Sequence, residues 1–230
     1  MAGRIYRAAA EESRLVLPRV GRLKIGKKSD KGYPMSVDYF IPTGKYADLF
    51  TQAYGPKPNT IQIVFPDDDA EKVCCERYEY RNDEGKLVAW GDGREFQVYN
   101  GRKYVAMTTA THPDLMRQVV EKYPSKKGEW VVTLTLNFIV PMVRGVAGVW
   151  TFQTKGAAST IPQIRNVFDA MLEKRGFCKG ILFDLSVEFA KSQKPDQSSR
   201  YPVVTLVPNE SESNVLRVKE ALDETRMLSQ

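Results

Sequence analysis

Apolar Val132, Leu134, Leu136 and Phe138 alternate with polar Thr133, Thr135 and Asn137. A period of two sends successive side chains to opposite faces, so 130–140 is predicted as a long strand with one wet face. Shorter runs of the same kind predict strands at 22–25, 60–65, 148–154, 181–190 and 202–207. Two hairpins stand between them. Segments 77–81 and 87–90 flank the turn Asn82-Asp83-Glu84-Gly85. Segments 95–99 and 103–106 flank Asn100-Gly101, a strong hairpin signal.

Three stretches carry helical spacing instead. Thr43 can cap a helix with Tyr46, Leu49, Phe50 and Ala53 on one face, stopped at Gly55-Pro56. Leu115, Met116, Val119, Val120 and Tyr123 share a face of a helix over 112–123, with Pro113 in its first turn. Ile161, Ile164, Val167, Phe168, Met171 and Leu172 form the stripe of a third, which ends at Gly176. Thr160 and Gln163 have the spacing of a capping box at its start. Many antiparallel strands with about three packed helices define an α+β fold built mainly of antiparallel sheets and hairpins. The expected organisation is a basic arm at 1–17, a body at 18–208 and a polar tail at 209–230, helical or disordered. The loop Pro124-Ser-Lys-Lys-Gly128 is the candidate meeting point of two subdomains.

Charge sharpens this division. The chain has 230 residues and a formal net charge of +6. Residues 1–33 hold nine Lys or Arg against Glu11, Glu12 and Asp30, which accounts for all of it. Residues 34–230 are therefore neutral overall, unlike a protein that clamps duplex DNA with a basic face. Arg4, Arg7, Arg14 and Arg19 are the candidate nucleic-acid contacts of the arm, which reads equally well as a solvated tail. No apolar run reaches the ~18 residues of a membrane span, and the charged N-terminus does not resemble a signal peptide. A cytoplasmic protein is expected. Three cysteines, two of them adjacent, make no disulfide framework.

Candidate chemistry is sparse. His112 stands alone, with no nucleophile motif near it, and one His with three Cys lacks zinc-ligand spacing. Asp67, Asp68 and Asp69 could hold magnesium, but a turn and helix cap use aspartates just as well. No cofactor or metal is expected. Lys155, Gly156, Ser159 and Thr160, between a strand and a helix, can receive an anion or a partner's group at the helix start. A tight strand-to-helix junction explains the same residues: a glycine with an unusual backbone angle, close-packed alanines and a Thr160 cap. Tyr78, Tyr80, Trp90, Phe96, Tyr99 and Tyr104 interleave with Arg81, Arg94, Arg102 and Lys103. Such a set can stack single-stranded bases on a sheet, and it is also ordinary strand composition.

The segments VGRLKIGKKSDKGYPMSVDYFIPTG, YGPKPNTIQIVFPDDD, CERYEYRNDEGKLVAWGDG and TKGAASTIPQIRNVFDAML resemble the recombination directionality factors of temperate actinophages. The resemblance runs from about residue 18 to residue 208. It implies a non-enzymatic, phage-encoded regulator that binds a large serine integrase on its attachment sites, through the integrase's coiled-coil region. It also implies that the partner turns recombination from integration toward excision, with direct DNA binding weak or absent. The alternative is a single-stranded nucleic-acid-binding module using the aromatic sheet and the basic arm.

Overall fold

The computed structural model describes residues 17–191 and 199–209. Eight strands form one sheet: β1 (Arg19–Lys28), β2 (Pro34–Thr43), β4 (Cys74–Arg81), β5 (Leu87–Gly91), β6 (Glu95–Tyr99), β7 (Tyr104–Thr108), β8 (Val131–Phe138) and β9 (Val149–Thr154). Their order is β2-β1-β9-β8-β4-β5-β6-β7, and every neighbouring pair is antiparallel except β1 with β9. A second, antiparallel sheet has the order β11-β10-β3, from β3 (Thr60–Val64), β10 (Leu182–Lys191) and β11 (Arg200–Pro208). The helices are α1 (Ala47–Tyr54), the single turn α2 (Ala70–Val73), α3 (Leu115–Lys122) and α4 (Thr160–Arg175). This is the α+β, mainly antiparallel architecture that the patterning predicts.

The first core lies between one side of β1, β9, β8 and the start of β4, the small sheet, and helices α1 and α4. Aromatic rings knit it together. Phe168 of α4 meets Phe65 edge-on at 5.2 Å, Phe65 meets Phe183 at 5.3 Å, and Phe50 of α1 sits 5.2 Å from Trp150. Packing is tight enough that a Cβ on Gly21 would collide with the Trp150 ring. Arg165 secures α4 to the sheet through Glu76 at 2.7 Å and is itself held by Asp169 at 3.1 Å. Gly176 ends α4 in the left-handed conformation, as its position after the apolar stripe foretells.

The second core is smaller. Tyr80, Val88, Ala89, Phe96 and Val98 on the same side of β4–β6 receive Leu115 and Val119 of α3. Trp130 closes it, packing on Tyr80 at 5.4 Å and Phe96 at 5.3 Å, while its indole N–H donates to the Met116 carbonyl at 3.1 Å.

Two local expectations change, and one strand appears that is not predicted. Thr43 does not cap α1. It ends β2, and its hydroxyl donates to the Arg22 carbonyl, so the helix begins after Tyr46. Strand β2, the one not predicted, pairs with β1; its sequence, PMSVDYFIPT, alternates over Met35–Tyr39 and breaks at the buried Phe40. Helix α3 starts at Leu115 behind Asp114, so Pro113 precedes it.

Candidate functional site

Directly paired residues of an antiparallel sheet share a face. Glu79 pairs with Trp90, Trp90 with Gln97, and Tyr99 with Tyr104. Those side chains therefore lie on the side of the large sheet away from α3. Arg77 and Arg81, two positions either side of Glu79, share it. In the other direction Glu79 pairs with Val131 and Arg77 with Thr133 on β8.

An ion cluster forms the centre of this face. Glu79 is only 2% exposed, yet it is charged. Arg77 donates to Oε1 through Nε at 3.0 Å and Nη2 at 2.7 Å; Arg81 donates to Oε2 through Nε at 3.2 Å and Nη2 at 2.8 Å. Burial pushes the Glu79 carboxyl upward, but the hydrogen bonds and charges of the two guanidinium groups outweigh it and hold its pKa below the ordinary value. Arg81 also reaches the Gly85 carbonyl at 3.0 Å, which ties the cluster to the β4–β5 turn.

Aromatics extend the face from the cluster toward β7. The Arg77 guanidinium lies 5.7 Å from the Trp90 ring centre, Trp90 packs on Tyr104 at 4.5 Å, and Tyr104 packs on Tyr99 at 5.5 Å. Two phenols are fixed by backbone carbonyls: Tyr104 donates to Leu87 at 2.7 Å and Tyr99 to Gly101 at 2.8 Å. Toward β9 the cluster borders a cleft of about 360 Å³, lined by Glu79, Arg81, Lys126, Lys127, Glu129 and Lys155, together with Val131 and the β4–β5 turn. Asp83 accepts the Lys126 amide and so fixes one wall. Lys126, Lys127 and Lys155 form no ion pair with any described residue.

The structure separates the four residues singled out after β9. Lys155 is exposed and lines the cleft. Gly156 donates its amide to Thr154 Oγ1, and its carbonyl accepts from the amides of Ser159 and Ile161. Thr160 is buried, and its hydroxyl accepts the Val204 amide at 3.1 Å, docking β11 against the start of α4. That use of the hydroxyl replaces the expected capping box, and no side chain caps α4 at Ser159. Gly156 is not in a left-handed conformation. A Cβ there would crowd Thr160 Cβ at 3.2 Å and Ser159 Oγ at 3.3 Å, so close approach is what the glycine permits. Arg19 opens β1 as an exposed residue; Arg4, Arg7 and Arg14 lie outside the described residues.

The aspartate run has structural work at every position. Asp67 pairs with Lys72 and accepts the Asp69 amide, Asp68 accepts the amides of Cys178 and Lys179, and Asp69 caps α2 through the Glu71 amide. His112 shares a 2.9 Å hydrogen bond with Thr111. Among the described residues, no group of three or more His, Cys, Asp or Glu is placed to hold a metal ion. Burial raises the thiols of Cys74 to about 12 and Cys178 to about 11, which leaves both protonated and unreactive near neutrality.

The sequence picked out Trp90, Tyr99, Tyr104 and Arg81 on this face but passed over Arg77, Glu79, Lys126 and Lys127. The i, i+2 spacing of Arg77, Glu79 and Arg81 was the available signal, since it places all three on one side of a strand. Tyr80 and Phe96, from the same interleaved set, turn inward to the second core.

Fixed aromatic rings beside fixed guanidinium groups, on a sheet whose rim carries lysines in slight excess over carboxylates, are the makings of a recognition surface. The chain belongs to the Gp3-like, recombination directionality factor-like family, whose description matches residues 20–209. Comparison with curated proteins and with solved structures gave no match. Among the described residues, no helix is long and apolar enough to cross a membrane.

Proposed function

We propose that this protein is a phage-encoded recombination directionality factor that binds a large serine integrase, without catalysing any step itself, and turns it from integration to excision. Membership of the directionality factor-like family, over nearly the whole described body, carries this reading. The commitment of Asp67, Asp68 and Asp69 to turn, cap and loop contacts supports a binding role over a metal-dependent one. The physical basis is linkage. A partner that binds the excision-competent arrangement of integrase more tightly than the integrating one shifts the balance by its differential affinity; a coupling of ~1–3 kcal/mol gives a bias of about 5–150-fold.

The test is recombination in vitro with purified integrase. Added protein is expected to suppress attP × attB joining and to support attL × attR joining. Unchanged product ratios at saturating protein would refute the reading.

A further inference from the structure

The outer face of the large sheet, from the lysine cleft to Tyr104, has features of a preformed docking site. Its lateral extent suits a helix. The face crosses β8, β4, β5, β6 and β7, and strands spaced ~4.8 Å apart make that about 20 Å across, against a helix diameter of roughly 10–12 Å. Its centre is already held, because Glu79 binds both arginines, which leaves the cluster with one net positive charge. An incoming surface therefore meets ordered guanidinium edges rather than mobile side chains, so little side-chain freedom remains to be lost.

The aromatic half argues against base stacking. Trp90 has Arg77 over its ring and Tyr104 against it, and Tyr104 also contacts Tyr99. The rings pack on one another and their phenols are tied to the backbone. Such rings offer edges and partly covered faces, which suit apolar side chains of a protein better than successive stacked bases. Tyr104, on the edge strand β7, remains 42% exposed.

The cleft half supplies the charge. Lys126, Lys127 and Lys155 line it without ion pairs to described residues, alongside the exposed carboxylates of Asp83 and Glu129, while Glu79 is already held by two arginines. With Arg81 the cationic side chains there outnumber Glu79, Asp83 and Glu129 by one, so a small positive excess is left and the complementary occupant is acidic.

We propose that this face binds an acidic, apolar-edged helix of the protein partner, with Trp90 and Tyr104 receiving its apolar side chains and Lys126, Lys127 and Lys155 its carboxylates. The proposal rests on the regulatory reading above and names the surface that would carry it.

The experiment measures binding of the full-length protein to its serine integrase by titration calorimetry, at low and at raised salt. Variants are Tyr104→Ala, the triple reversal Lys126→Glu/Lys127→Glu/Lys155→Glu, and Lys174→Glu on α4 as the control from the opposite side of the sheet. Tyr104→Ala is expected to weaken binding about tenfold or more. The triple reversal should weaken it at least as much and flatten its salt dependence, while Lys174→Glu binds as the parent does. The reversed side chains are exposed, so the reversal tests the face even if Tyr104→Ala proves unstable. Parent protein that binds integrase with all variants unchanged overturns this proposal and leaves the regulatory reading standing. Parent protein that binds no integrase overturns both. Reversals that spare integrase binding but abolish binding of a single-stranded oligonucleotide, or dissociate a dimer, assign the face to nucleic acid or to a second copy and also overturn the proposal.

Discussion

The large sheet is covered differently at its two ends. Around β1, β9 and β8 it faces a second sheet and two helices, and the enclosed rings of Phe50, Phe65, Trp150, Phe168 and Phe183 are fully buried or nearly so. Around β5, β6 and β7 its cover is the two-turn helix α3, with Leu115, Val119 and the Trp130 ring beneath it. Buried apolar area sets the main favourable term in folding, so the first end should hold the molecule together. The second end has less to hold it, yet it carries the ordered aromatic and arginine face. The lesson is that an exposed face need not depend on a large core when an ion cluster fixes it. Glu79, on β4 where the two ends meet, supplies that cluster.

The largest expected effect tests the dominant core. Phe168→Ala should cost about 3–5 kcal/mol, read as a lowered urea midpoint for the whole molecule. A loss confined to α4, with the remaining amides still protected from exchange, would break the comparison. Leu115→Ala should cost about 2–4 kcal/mol, with hydrogen exchange accelerated mainly in β5–β7 and α3. Equal acceleration in β1 and β9 would mean that the two cores open as one unit.

Glu79→Gln comes next, at about 2–3 kcal/mol, because two arginines lose a charged acceptor. It also predicts a pH signature. The folded pKa of Glu79 is depressed, so its contribution is present above the unfolded value near 4.5 and is lost as pH falls through the lower folded value. Parent protein should therefore lose stability on acidification below about pH 5, and the glutamine variant should lose less. Parallel acid profiles would show that the cluster does not contribute.

The smallest effect goes the other way. The Thr133 hydroxyl, beside Arg77 on this face, is buried without a hydrogen-bond partner. Thr133→Val should raise stability by about 1 kcal/mol, visible as a higher melting temperature. A loss of stability would mean that the hydroxyl has a use that the described contacts do not include.

Much of this fold is legible in the chain, and the exceptions have physical causes. Strand β8, both hairpins and α4 follow from periods and turn residues that act within a few positions: Asn82 and Gly85 close one hairpin, Asn100 accepts two amides in the other, and Gly176 stops α4. Strand β2 is passed over although Met35, Val37 and Tyr39 alternate with Ser36 and Asp38; the alternation breaks at the buried Phe40, and pairing with β1 carries the strand on to Thr43. Thr160 shows how one hydroxyl can be read two ways. Capping is a local option, but the Val204 amide, 44 residues away, takes the oxygen. Thr133, expected to be wet, is fully buried opposite Arg77 of β4, an effect with no local trace.

The site divides along the same line. Sequence alone determined that aromatic and basic residues would gather on hairpin strands, that residues 34–230 would be neutral overall, and that no residue set carried obvious catalytic chemistry. Tertiary structure decided which of those side chains share a face. It turned Tyr80 and Phe96 inward and Trp90 and Tyr104 outward. It set Glu79 between two arginines, and it brought Lys155 to a cleft with Lys126 and Lys127. Local periodicity fixes the side of a strand from which a residue projects, but strand order and register decide what it meets there.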